Sequence, residues 1–410
     1  VRTDTPSPSP LRILHVAPVW EEAWGYGGIP RLLGPLARAQ AAAGHRVTVV
    51  ATDARDSTSR IPAPHDFVER IGGGRLRVRL FRNLSNRLAD REQLYLPLGM
   101  RAFLREIASS TDVAHLHAHR HLGEALAARA LRHARVPWLS APNGTAPRIE
   151  RRLAAKAIWD ATIGREILAG AAALLAVSEA ERRELEALGL PPERIRVVPN
   201  PIDLEPFRFP PAAGEFRRRF ELGAGPMLLS LGQLAPRKRV DLLLAAWARR
   251  KGQPGILVVA GNDRGAEPEL RRLAGAPPLA GRVRFVGRLE GSERLAALAD
   301  ADLVVYPGER EVFGLVAVEA ILCGTPVVVA GDSGCGELVG GLGGGIVLGS
   351  ADPAELAAAI DEVLGAPEVW SGRIREAATK AAARLSPERI AGEIDRVYRE
   401  MLGDSGRRAQ

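Results

Sequence analysis

DLVVYPGEREVFGLVAVEAILCGTPVVVA, residues 302–330, is the stretch whose reading decides the fold. A short β-branched run ends at Pro307, a polar turn follows, an apolar run of helical period starts near Gly314, and a second β-branched run begins after Gly324 and Pro326. Strand, turn, helix and strand in that order predict one βαβ unit of a parallel sheet. The same alternation runs upstream through PMLLSLG, GILVVAG and VRFVG and downstream through GIVL, which predicts a doubly wound sheet over residues 226–385.

Nearer the start, LRILHVAPV, HRVTVVAT, LRVRLF, VAHLHA, PWLSAP, ALLAVS and IRVVPN read as strands of a second, larger sheet over residues 11–204. Helical stretches such as RLLGPLARAQAAAG and GEALAARALRHA separate them, and Gly44 is placed as a C-terminal helix stop. Residues 205–225 are rich in Pro and Gly, carry the charge run Arg217 to Arg219 and lack a strand period, so they are expected to link two domains. Residues 386–403 have a helical period and can cross back to the first domain; residues 1–10 and 404–410 are expected to be disordered. The expected class is α/β, with two Rossmann-like doubly wound domains facing a central cleft, where ligands meet the carboxyl ends of strands.

Composition agrees with two domains: 410 residues with 46% hydrophobic content can bury sizeable cores. No run approaches the ~18 uninterrupted apolar residues of a membrane helix. The opening VRTDTPSPSP has no apolar segment of signal-peptide type, so a cytoplasmic address is expected. Two cysteines, Cys323 and Cys335, match no disulfide framework or zinc spacing and read as free thiols. A net charge of +8 suits nucleic acid, an anionic membrane or an anionic substrate without choosing among them. Arg interleaved with Ala and Leu on helices is also how a solvated basic surface looks.

Four loops carry candidate chemistry. Glu311 precedes the helix that bears Glu319, so both carboxylates can reach one cleft and accept hydrogen bonds from vicinal hydroxyls. The backbone N–H groups of Phe313, Gly314 and Leu315 suit a phosphate at the helix start. In SLGQLAPRKRVDLLLAAW, Arg237 and Lys238 fall between a strand and a helix, where two cations can face a diphosphate. In GYGGIPRLLG, Gly27 and Gly28 let bare backbone approach a ligand; no G-x-G-x-x-G follows the first strand, which removes the main support for a nicotinamide cofactor. In DVAHLHAHRH, alternation puts His115 and His117 on one face of a strand, and no acidic or thiol companion stands at metal-ligand spacing, so no metal site is expected.

EVFGLVAVEA followed by GTPVVVAGDSGCGELV resembles the donor-binding stretch of the retaining glycosyltransferases of family 4, which have the GT-B fold, and the likeness runs from Leu11 to Leu402. The resemblance implies that Glu319 binds the nucleotide ribose, Glu311 contacts the donor sugar, Gly27 and Gly28 form the N-terminal glycine loop, and His117 lies near the reacting sugar. It implies Lys238 and Arg237 as catalytic cations, retention, independence of metal and no cofactor beyond the nucleoside diphosphate sugar. This sequence departs from the family pattern at Gln233, where many relatives have Arg, at Arg239, where they have Gly, and at Asn143, where they have His. Gln233 then serves as a neutral hydrogen-bonding substitute.

The acceptor is expected on the first domain: a glycan, a lipid-linked glycan or a small molecule, in polysaccharide or glycoconjugate synthesis. There NGTAPRIERRLAAKAIWD sets Arg148, Arg151, Arg152 and Lys156 among Ile149, Leu153 and Ile158. Such a helix can rest peripherally on an anionic membrane at its inner face, or pack its apolar stripe into the domain. The rival readings are a nucleotide-sugar epimerase, a phosphorylase with a pyridoxal phosphate lysine, and a non-catalytic module that binds sugar nucleotides or nucleic acid. Intact Glu311, Glu319 and Lys238 favour an enzyme, and no nucleic-acid partner is expected.

Overall fold

A computed structural model describes residues 9–23, 26–149, 152–250 and 255–408, with the side chains of 404–408 excepted. Two units result: one holds the chain up to Asp203 together with the residues from Pro387 onward, the other Leu204–Ser386. The expected leader falls almost wholly outside the described residues.

The first unit is built on an eight-stranded sheet: β1 (Arg12–Val19), β2 (Arg46–Thr52), β3 (Asp66–Ile71), β4 (Gly74–Phe81), β5 (Val113–His117), β6 (Trp138–Ala141), β7 (Ala173–Ala176) and β8 (Ile195–Val197). Their order is β3-β4-β2-β1-β5-β6-β7-β8, parallel throughout except where β3 pairs antiparallel with β4. Helices cover both faces, so β1, β5, β6 and β7 are buried along nearly their whole length, which is why they read as continuous apolar runs. β3 is the strand the sequence reading lacked. Its residues alternate between exposed and half-buried along an edge, and DFVERI offers no apolar run.

The second unit has a six-stranded, all-parallel sheet: β9 (Met227–Leu231), β10 (Ile256–Ala260), β11 (Val283–Gly287), β12 (Leu303–Tyr306), β13 (Val327–Ala330) and β14 (Gly345–Leu348). The order β11-β10-β9-β12-β13-β14 is the doubly wound 3-2-1-4-5-6 arrangement, whose chain direction switches between β9 and β12. Leu228 and Leu229 pair with Leu303 and Val304 across that switch. The loops leaving β9 and β12 therefore start side by side.

Two expectations need correction. Residues 205–225 are not a free linker but part of the second unit. They carry the helix Glu215–Arg219, whose Gly214, Phe216 and Arg217 amides donate to the Asp300 carboxylate at 2.6, 2.9 and 3.1 Å. A carboxylate at a helix N-terminus satisfies amides that have no partner within the helix, and Phe216 is buried beneath. The last helix, Pro387–Arg408, continues through residues expected to be disordered. Its Ile390, Ala391, Ile394, Val397, Tyr398 and Met401 enter the core that Leu33, Leu36, Val47 and Val49 form in the first unit.

Candidate active site

At the switch point of the second unit, the loop after β9 brings Arg237 and Lys238 onto Glu311 from the loop after β12. Arg237 Nη1 and Lys238 Nζ each donate to Glu311 Oε1 at 2.5 Å, and the Tyr306 hydroxyl donates to Oε2 at 2.9 Å. Lys238 Nζ also donates to the Tyr306 hydroxyl oxygen at 2.6 Å and lies 4.8 Å from the ring centroid. Burial opposes ionisation of Glu311, but Lys238 and Arg237 overcome it and hold the carboxyl below its ordinary range. Burial lowers the Lys238 ammonium, and Glu311 opposes that fall. Gln233, Lys238, Tyr306 and Pro307 line one small cavity with Gly232 and Leu234.

Gly314 is the cap residue before the helix Leu315–Leu322, at φ +73°. A side chain there would be strained, and its Cβ would fall 2.1 Å from Cys335 Sγ and 2.6 Å from Cys335 Cβ. The glycine thus lets the helix start pack against the next one, Gly334–Leu342, and the Cys335 amide donates to the Glu311 carbonyl at 2.8 Å. Phe313 is buried behind the turn. Cys323 and Cys335 are both free thiols.

Glu319 is buried on this helix, and Arg294, from the helix Gly291–Asp300, donates to its Oε1 at 3.0 Å and also meets Oε2. The structure therefore brings Glu311 to Arg237 and Lys238, and gives Glu319 a different cation. Arg294 and Tyr306 escaped the sequence reading. Their signals were an arginine at an apolar position of an amphipathic helix and a tyrosine closing a buried strand before Pro307.

In the first unit, Gly28 caps the helix Ile29–Ala42 and Gly27 has φ +114°, with open space where either Cβ would stand. His117 ends β5, buried within a cluster with His15 and His115. The rings of His115 and His117 stack with centroids 4.1 Å apart and planes at 18°. Ring nitrogens of all three lie within 4.8 Å of one another. Two stacked imidazoles cannot both aim in-plane lone pairs at one ion ~2.1 Å away, so this geometry suits hydrogen bonding rather than metal ligation. Burial depresses His15 to about 4 and pushes His115 and His117 well below the ordinary imidazole range.

After β6, Asn143 sits at φ +51° with its Nδ2 donating to the Ala141 carbonyl at 3.0 Å. Two groups the sequence reading missed brace its loop. Buried Glu181 accepts from the Gly144 and Val177 amides at 2.6 and 2.8 Å, and Arg120 binds both Asp160 and the Ala146 carbonyl. The helix Leu153–Ala161 buries none of its residues: Leu153 is 52% and Ile158 66% exposed. The expectation that this stripe packs into the domain is thus not met, and the exposed basic residues Arg148 and Arg152 stand nearby in sequence. Arg151 lies outside the described residues.

Two Rossmann-like sheets, one with two cations and a carboxylate gathered at its switch point, place the chain in the doubly wound α/β class, whose ligands meet at such switch points. Comparison with known families gives the rest. Residues 215–384 match the model described as Glycosyl transferases group 1, and residues 26–206 match Glycosyltransferase Family 4. The chain belongs to the family 4, group 1 glycosyltransferases. It is 34% identical over 250 residues to the D-inositol 3-phosphate glycosyltransferase of Frankia alni, a match covering 58% of this chain and 61% of that protein. Two solved structures share the fold. Anabaena Alr3699/HepE in complex with UDP has a TM-score of 0.72 and 20% identity, covering 95% of this chain and 100% of that one. Sucrose-phosphate synthase from Thermosynechococcus elongatus has a TM-score of 0.70 and 23% identity, covering 96% and 99%. Among the described residues no helix is long and apolar enough to cross a membrane.

Proposed function

We propose that the chain moves a glycosyl group from a nucleoside diphosphate sugar to an acceptor hydroxyl with retention at the anomeric carbon. The observation that carries this reading is the convergence of Arg237, Lys238 and Glu311 at the sheet's switch point. The bond from the anomeric carbon to the diphosphate oxygen breaks, a bond to the acceptor oxygen forms on the same face, and the acceptor proton passes to the departing diphosphate. Lys238 and Arg237 stabilise the charge that grows on that leaving group, without a metal ion. Glu311 positions both cations and contacts the donor sugar, while Glu319 accepts from the ribose hydroxyls. The amides of Phe313, Gly314 and Leu315 face a phosphate, with Gln233 at the cavity's edge. Gly27, Gly28 and His117 are assigned to the sugar side.

Thermal-shift screening against UDP, GDP, ADP and CDP sugars tests the reading. UDP and UDP-glucose come first, because HepE was solved with them. Stabilisation by one donor, followed by a product of unchanged anomeric configuration, is expected; no stabilisation by any donor sinks it. Turnover in excess chelator should be undiminished, and strict dependence on magnesium or manganese would count against leaving-group stabilisation by protein cations alone.

For the acceptor, the exposed apolar stripe of the helix Leu153–Ala161 beside Arg148 and Arg152 supports a lipid-linked substrate met at an anionic membrane face. Sedimentation with anionic vesicles at low salt should carry the protein down. Its absence removes the membrane and leaves soluble acceptors, inositol phosphates among them, since the Frankia alni relative is named for one.

A further inference from the structure

The histidine cluster is wired to the last helix of the chain. Gln40, on the helix Ile29–Ala42, places its side-chain oxygen 2.7 Å from His15 Nε2 and its nitrogen 3.4 Å from the Tyr398 hydroxyl. That hydroxyl lies 2.9 Å from His115 Nδ1, and His15 Nδ1 lies 2.9 Å from His117 Nε2. All five side chains are buried.

A buried network of neutral groups has few ways to place its protons. The Gln40 oxygen can only accept, so His15 carries its proton on Nε2 and must accept at Nδ1. His117 then carries its proton on Nε2. At the other end the Gln40 amide donates to the Tyr398 oxygen, whose own proton goes to His115 Nδ1. What remain are the Nε2–H of His115 at one end and a lone pair on His117 Nδ1 at the other, both buried and without a hydrogen-bond partner in the protein. Turning the Gln40 amide over would reverse every one of these bonds and put a proton on His117 Nδ1 instead. The orientation of the Gln40 amide, which the Tyr398 hydroxyl bonds, therefore decides whether His117 accepts or donates.

We propose that Tyr398 and Gln40 are positioning residues for His117: through His15 they hold it in the Nε2–H tautomer, so that its Nδ1 offers a bare acceptor to a sugar hydroxyl. The part His117 plays in transfer rests on the function proposed above; the tautomer does not. Long-range proton–nitrogen correlation spectra of the full chain labelled in its histidines read the tautomers directly. His15, His115 and His117 are all expected as Nε2–H at pH 7.5, and a His117 proton on Nδ1 overturns the inference. Tyr398→Phe keeps the ring in the core and removes the hydroxyl. It should turn His117 into a mixture of tautomers and lower kcat for UDP-glucose about tenfold at unchanged KM, the size expected from one buried hydrogen bond. A His117 that stays wholly Nε2–H in this variant, with kcat unchanged, refutes the relay. Should Tyr398→Phe not fold, Gln40→Met breaks the same chain at its centre and is read the same way. A wild-type spectrum as expected, in a protein that turns over no nucleotide sugar, upholds the relay and removes the transferase reading.

Discussion

The second unit buries charge at its switch point, whereas the first unit buries a cluster of imidazoles kept neutral. At Glu311 two cations and a hydroxyl converge on one carboxylate, and the attraction outweighs the cost of burial for Glu311, whereas for Lys238 burial prevails over it. At His117 no charge is present to attract, and each proton is fixed by the direction of the next hydrogen bond. The first arrangement suits stabilising charge that develops in a reaction; the second suits setting the orientation of one ring. The contrast also means that the two sites fail differently when disturbed.

The largest expected effect is on the charged cluster. Lys238→Ala should lower kcat by roughly a hundredfold or more, the scale of losing one preorganised charge-stabilising group, while circular dichroism shows an intact fold. Glu311→Ala should cost similar activity and, in addition, about 3 kcal/mol of stability in denaturant titrations, because Lys238 is left buried without its counterion. Full activity in both variants would dissolve the contrast. Next, Gly314→Ala should destabilise by roughly 2–3 kcal/mol, combining a forbidden backbone angle with a clash at Cys335. The double variant with Cys335→Gly should lose less than the sum of the singles, whereas strict additivity would show that the clash is absent.

The smallest effect concerns pH and separates the two clusters. A histidine depressed to about 4 in the fold binds its proton more readily in the unfolded chain, so its contribution to stability is full above 6.5 and lost as pH falls toward 4. Glu311, held below 4.5, contributes above its unfolded value and is lost only as pH falls beneath that value. In the first unit Glu124, pushed up to about 8 by burial, works against the histidines, since the folded chain holds its proton and gains stability as pH falls from 8 to 4.5. Glu124→Gln should therefore make the loss of melting temperature between pH 6.5 and 4.5 steeper than in the wild type. An unchanged slope would mean that Glu124 does not titrate in that window.

Four strands of the second sheet, β9, β10, β12 and β13, were legible as apolar runs bounded by turn residues and buried on both faces, and the partly exposed edge strands β11 and β14 by their short β-branched runs between glycines and turns. Glu311, Arg237 and Lys238 were legible as residues at strand ends, and the sheet order then brought them together. What escaped notice was written in single polar residues on apolar surfaces. Tyr306, Tyr398 and Arg294 each fit the period of a buried strand or helix face, and only the fold reveals what their polar ends meet. Residues 205–225 look like a linker by composition because the carboxylate that orders them, Asp300, lies far along the chain.

The return of the last helix to the first unit also sets an order of assembly. Ile390, Ile394, Val397 and Tyr398 complete a core whose other residues are made first, and the whole of Leu204–Ser386 is synthesised in between. While the ribosome is still making the second unit, the groove that receives this helix stands open and His115 lacks its hydroxyl partner. A fragment cut at Asp203 is left in that same state permanently, with an apolar surface in place of a finished core. The unit whose synthesis begins first is therefore the last to close.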